Sequence, residues 1–177
     1  IRTLRNLENV EVGFNADNLL LFDVEPSLLG YKEGKLMEVY QGLFKRLERM
    51  PGVQSVTSSN HALLSFGATT TSIYKPDAPL QPDGSPIELG DTKLLVVREN
   101  FLDTMQIPVL IGRNLTEQDD ERAPKVAVVN KTFAEKYFPN ESVIGKQFSI
   151  SRQEKIEIVG MVKDAKYTTQ RDEIEPT

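Results

Sequence analysis

Between positions 36 and 50 the apolar side chains fall at Leu36, Val39, Tyr40, Leu43, Phe44, Leu47 and Met50, while Lys35, Glu38, Lys45, Arg46, Glu48 and Arg49 lie off that stripe. A 3.6-residue period puts the first set on one face of a helix and the second in water, so the segment needs an apolar surface to lie on. Pro51 and Gly52 stop it. Ahead of it, Leu20, Phe22 and Val24 alternate with Leu21, Asp23 and Glu25 until Pro26 and Gly30 intervene, the period of two that a strand with one buried face shows. Behind it, residues 53–59 are rich in Val, Thr and Ser and read as a second strand. Strand, crossover helix and strand predict a right-handed βαβ unit, with the helix covering one face of a sheet.

The pattern then changes. Residues 60–90 carry Pro76, Pro79, Pro82 and Pro86 with Gly67, Gly84 and Gly90, and strand potential survives only over 68–74. Residues 75–85 read as an exposed hairpin tip, because prolines deny a ladder its donors and Pro82-Asp83-Gly84 is strong turn chemistry. An extended strand resumes over 87–97, a short helix fits 99–105, and Ile107-Pro108 interrupts it. Further on, 125–129 is a compact apolar strand. Residues 131–138 form a short helix, with Thr132 and Glu135 placed as a capping box and Pro139 ending it. Phe148 and Ile150 mark a strand over 147–151, and Ile156, Ile158 and Val162 supply the last one after a polar turn at 152–155. The fold class is α+β in two small lobes meeting near Met105, without an internal repeat.

Composition limits what these lobes can do. With 177 residues the chain makes one substantial domain or two small ones. Lys plus Arg is 21 against 26 Asp plus Glu, a net charge of −5, which sets nucleic-acid backbone binding at a disadvantage. Apolar runs such as 19–22 and 94–97 are far below the roughly 20 residues of a membrane-spanning helix. The absence of cysteine excludes disulfides, thiol catalysis and Cys-ligated metal, and a single histidine leaves little for imidazole chemistry. At the start, Ile1, Leu4, Leu7 and Val10 recur every third residue, which fits either the last turns of a helix arriving from a preceding segment or a frayed amphipathic terminus. At the other end, residues 163–177 are polar, without an apolar closing element.

Four sets of residues could carry chemistry. Gly145-Lys146 is followed by Gln147 and has Asn140 where a phosphate loop needs its leading glycine, so it reads as a glycine turn before a strand. His61 lies near Ser58, Ser59 and Ser65, but no nucleophile elbow surrounds any of them, and a solvent-exposed loop histidine is the stronger reading. Glu117, Asp119, Asp120 and Glu121 form the densest acidic run. It lacks the central glycine and the distant bidentate acid of a calcium loop, and reads as a solvated loop or helix start. Asn114, Asn130 and Asn140 open glycosylation sequons in form, and helix-capping roles for Asn130 and Asn140 account for two of them. No catalytic residue, cofactor or metal ligand is assigned.

The string Val97-Arg98-Glu99-Asn100-Phe101-Leu102-Asp103-Thr104-Met105-Gln106-Ile107-Pro108-Val109-Leu110-Ile111-Gly112-Arg113 is followed by Lys125-Val126-Ala127-Val128-Val129-Asn130. Next come Phe133-Ala134-Glu135-Lys136-Tyr137-Phe138-Pro139, Ile144-Gly145-Lys146 and Ile158-Val159-Gly160. This ordered series closely resembles the MacB-like periplasmic core domain, the extracytoplasmic insert of ABC-transporter permeases of the macrolide-exporter type. Asn9-Val10-Glu11-Val12-Gly13-Phe14 and Val162-Lys163-Asp164-Ala165-Lys166-Tyr167 look more specifically like the acidobacterial-type duplicated orphan permeases of that superfamily.

The resemblance implies a stub of the preceding transmembrane helix over 1–9 and a porter-like lobe holding the βαβ unit over 10–105. It further implies a smaller, mixed α/β sabre-like lobe over 106–166 and a polar tail over 167–177 leading back toward the porter lobe. It implies a non-catalytic domain on the periplasmic face of the bacterial inner membrane that transmits conformational change and contacts substrate or partner proteins during export. The implied partners are the parent's transmembrane helices, an ATPase domain acting from the cytoplasm, a periplasmic adaptor or lipoprotein, and a second copy in a membrane homodimer. Nucleic acid is not among them. Two rivals make separate predictions. A stand-alone extracytoplasmic ligand-binding module, with its pocket between the lobes, binds a solute saturably. A small hydrolase using His61 with Ser59 or Ser65 loses activity on His61→Ala.

Overall fold

The computed structural model describes residues 12–26, 30, 33–61, 63–64, 69–120, 122–151, 154–167, 169 and 173–177. The helix stub expected over 1–9, Ser65, Glu121 and the first half of the expected turn at 152–155 lie outside them. The chain order is α1 (Glu33–Leu47), β1 (Thr69–Tyr74), β2 (Glu88–Leu94), α2 (Phe101–Thr104), β3 (Val109–Gly112), β4 (Val126–Asn130), α3 (Lys131–Tyr137), β5 (Gln147–Ser149) and β6 (Lys155–Val162). The class is α+β, as the sequence predicts. No described helix is long and apolar enough to cross a membrane.

One six-stranded sheet runs β2-β1-β5-β6-β3, with β4 also paired to β6. All its pairings are antiparallel except β4 with β6. β6 is the central strand because its alternation points Ile156, Ile158 and Val162 inward, Ile158 with no exposed surface at all. Tyr74 opposite Ser149 joins the β1–β2 hairpin to β5, so strands from both sides of residue 105 share one sheet. The loop between β1 and β2 is the proline-rich tip expected there. It is closed by Lys75 N donating to Ile87 O and tightened by Asp83, which accepts from the Ser85 amide.

Two apolar cores meet β6, one at Ile156 and Ile158 and the other at Val162. One packs Ile73, Val129, Phe133, Val143, Phe148 and Ile158, with the Phe133 ring 4.8 Å from Tyr137 and 5.5 Å from Phe148. The other packs Leu63, Phe101, Leu102, Met105, Ile107, Val162, Ala165 and Tyr167.

Two sequence expectations are corrected and one strand is added. The helix of the expected βαβ unit forms as α1, but residues 19–25 and 53–58 are irregular, and Ser59 makes a single bridge with Val97. A strand exists only through a neighbour's main-chain groups, and no described strand lies beside these segments. Leu20 is 79 % exposed, and the apolar face of α1 is only half-buried, tied down by Tyr40 Oη donating to Val24 O and by Arg98 lying 4.4 Å above the Phe44 ring. At α3 the cap is Asn130, whose side chain accepts from the Phe133 amide, and not Thr132 with Glu135. The helix follows β4 without an intervening residue, so the last strand residue becomes the cap, and Glu135 pairs instead with Lys131 one turn back. Finally, β3 was not foreseen. It is four residues long and largely exposed, and its existence rests on its pairing with β6.

The tail comes back to the sheet. Among the described residues β2 pairs only with β1, and β3 and β4 only with β6; residues 175–177 reach β2 and β4. Lys93 N donates to Pro176 O at 2.8 Å and Asn130 N donates to Thr177 O at 3.0 Å.

Candidate functional site

The residues singled out for chemistry are each absorbed into local structure. His61 is half-buried rather than exposed, and its Nε2 lies 2.7 Å from Thr69 Oγ1. The Ser59 hydroxyl donates to the main-chain oxygen of His61, away from the ring, so histidine and serine are not paired as base and nucleophile. Within the acidic run, Asp119 takes both guanidinium nitrogens of Arg113, at 2.7 and 2.8 Å, together with the Thr116 amide. The Arg113 hydrogen bonds hold its carboxyl well below the ordinary carboxylate range, and Asp119 in turn raises Arg113. Asp120 accepts from the amides of Arg122 and Ala123. Among the described residues no group of acids or histidine is arranged to hold a metal.

Gly145 is the glycine turn expected before β5, at φ +80° with its amide donating to Ile158 O, while the Lys146 ammonium pairs with Glu141. Asn130 caps α3 as the capping reading required, and at 1 % exposure its amide is closed to modification. Asn140 differs: it occupies the left-handed region in the turn after α3 and starts no helix. Under the tail, a hollow lined by Lys93, Tyr167, Glu173 and Glu175 holds about 10 Å³, room for one water. A depression of about 450 Å³ between Met37, Gln41, Asp120 and Arg122 is open to solvent.

The feature that joins distant parts of the chain is a seam. Residues 12–15 run against the segment that follows β6: Lys166 N donates to Val12 O at 2.7 Å and Asn15 N to Met105 O at 3.0 Å. Asn15 Nδ2 reaches Gln106 Oε1, fixing the turn after α2. Gly13 sits at φ +84°, and a Cβ there would lie 2.4 Å from Asp164 O and 2.6 Å from Ala165 Cα, so only glycine lets the two segments close. Asp164 extends the seam to α3 by accepting from the Thr132 amide at 2.9 Å. Beside it, burial and then the Asp164 charge push the Tyr167 hydroxyl far above its usual range, so it remains a neutral phenol. Sequence reasoning missed this seam. A lone glycine before Phe14 was its only local signal, and its partner lies some 150 positions away.

Comparison with known proteins gives these observations a setting. The profile of the family described as MacB-like periplasmic core domain matches residues 8–174. No curated relative matches the sequence. Among solved structures, the periplasmic region of MacB from Actinobacillus actinomycetemcomitans is similar at a TM-score of 0.54 and 17 % identity, over 78 % of this chain and 59 % of that one. The extracellular domain of the noncanonic ABC-type transporter YknZ from Gram-positive bacteria is similar at a TM-score of 0.50 and 21 % identity, over 71 % of this chain and 57 % of that one. The chain thus spans less than two thirds of the structures it resembles.

Proposed function

The chain belongs to the MacB-like periplasmic core domain family, and from that premise we propose that it is a non-catalytic, extracytoplasmic domain of an ABC-transporter permease. In this reading it passes conformational change between the membrane helices and the substrate or partner proteins met outside the membrane. The carrying observation is the seam. The Val12–Lys166 hydrogen bond and the close approach of Gly13 to Ala165 hold the incoming chain against the segment after β6, which supports a path for motion from the entry of the domain into its sheet. A porter-like lobe over 10–105 contributes α1, a sabre-like lobe over 106–166 contributes β3 to β6, and the β1–β2 hairpin clasps the second through Tyr74 and Ser149. The parent's membrane helices, a cytoplasmic ATPase, a periplasmic adaptor or lipoprotein and a second permease copy are the partners of this reading. The matches at 9–14 and 162–167 support the duplicated orphan subgroup.

Topology mapping tests it. The domain has no cysteine, and Leu80 at the hairpin tip is 60 % exposed. In the parent protein, Leu80→Cys is expected to react with a membrane-impermeant maleimide added to cells with a permeabilised outer membrane. Reaction only after the inner membrane is broken sinks the proposal.

A further inference from the structure

We propose that residues 173–177 form a latch whose seating on β2 and β4 is read out at the N-terminus of α3 through the side chain of Asn130. The inference goes beyond the transporter reading and does not rest on it. Asn130 is buried, and three hydrogen bonds engage its side-chain amide. Oδ1 accepts from the Phe133 amide at 2.9 Å and from the Thr177 amide at 3.0 Å, while Nδ2 donates to Glu175 O at 2.8 Å. A carboxamide oxygen has two lone pairs, so one is given to the helix cap and the other to the tail. The remaining contacts are also polar. The buried Thr92 hydroxyl donates to Pro176 O at 2.9 Å beside the Lys93 amide, and the Lys93 ammonium lies 3.4 Å from the Glu175 carboxylate.

The tail is only partly covered, with Ile174 37 % and the Glu175 side chain 46 % exposed, so its seating leans on these hydrogen bonds. Directional bonds of this kind are lost within a fraction of an ångström to an ångström of displacement, whereas apolar burial fades gradually, so the tail is either seated or out. When it is out, Nδ2 of Asn130 loses its Glu175 acceptor inside the fold, and the Thr92 hydroxyl keeps only its longer contact, 3.4 Å, with Lys93 O. The Asn130 side chain then turns to find water, taking Oδ1 off the Phe133 amide. Asp164 still holds the neighbouring Thr132 amide, so the cap loosens without unravelling α3.

Amide hydrogen exchange on the intact chain, read residue by residue by NMR, tests the coupling. Thr92→Val removes one tail contact and touches nothing in α3. The expected result is at least tenfold faster exchange at Lys93, Thr177 and Phe133 together, with Ile158 at the centre of β6 unchanged. Asn130→Asp keeps the acceptor oxygens and removes the donor to Glu175 O, so Lys93 and Thr177 accelerate while Phe133 keeps its protection. Acceleration of the tail amides in Thr92→Val with Phe133 unmoved overturns the coupling. No acceleration anywhere overturns the latch, and so does a rise at Phe133 that Ile158 matches, because that is global opening.

Discussion

Asp119 and Gly13 show the two ways in which a single residue's role was hidden in the sequence. Asp119 read as one of four acids in a solvated run, and its partner, Arg113, is only six positions away. What the run does not reveal is which acid turns inward, and the bidentate geometry selects Asp119 alone. Its folded pKa lies below the unfolded value near 3.9, so the stabilisation is complete above that value and is lost as pH falls through the lower, folded one. Urea denaturation of wild type against Asp119→Asn should show a difference of about 1–2 kcal/mol at neutral pH, steady down to about pH 5 and shrinking below about pH 4. A difference that grows on acidification contradicts this account. At Gly13 the constraint is steric, with both the positive φ and the Asp164 oxygen excluding a Cβ. Gly13→Ala should therefore cost about 2 kcal/mol or more in the same assay, against the few tenths that a surface substitution costs.

Elements were legible where their own side chains are buried and illegible where a neighbour creates them. β4, β6, the hairpin tip and α3 were placed from periodicity and turn chemistry, because Ile158, Val129 and Phe133 supply the apolar positions that periodicity detects. β3 was missed because Leu110 and Ile111 face solvent and only the ladder with β6 makes the segment a strand. The opposite error occurred at 19–25, where alternation was present and no described strand adjoins it. Substitutions should divide along the same line. Ile158→Ala empties a fully buried site on the central strand and should lower stability by about 3 kcal/mol, whereas Ile111→Ala on exposed β3 should stay within about 0.5 kcal/mol. Thermal or urea midpoints of the two variants check the contrast, and equal losses would mean that β3 is packed as a core strand.

For the whole molecule, the family was legible as an ordered series of short matches, and the residues that join distant parts were not. The seam links position 13 to 165 and the latch links 130 to 177, separations over which no periodicity carries information. Leu20, Leu21 and Phe22 are consecutive and exposed, an apolar segment of the kind that drives association. Leu20→Ser with Phe22→Ser should reduce concentration-dependent self-association in sedimentation velocity and leave the unfolding midpoint in place. A shifted midpoint would show that these side chains belong to the core. The return of the tail to β2 and β4 has a further consequence during synthesis. Asn130 emerges 47 residues ahead of Thr177, and at the usual ~5–20 residues per second that interval is roughly 2–9 s. For that time the nascent sheet carries β2 and β4 without the 175–177 segment, so translation speed sets the window in which neighbouring chains on one polysome can pair edge to edge.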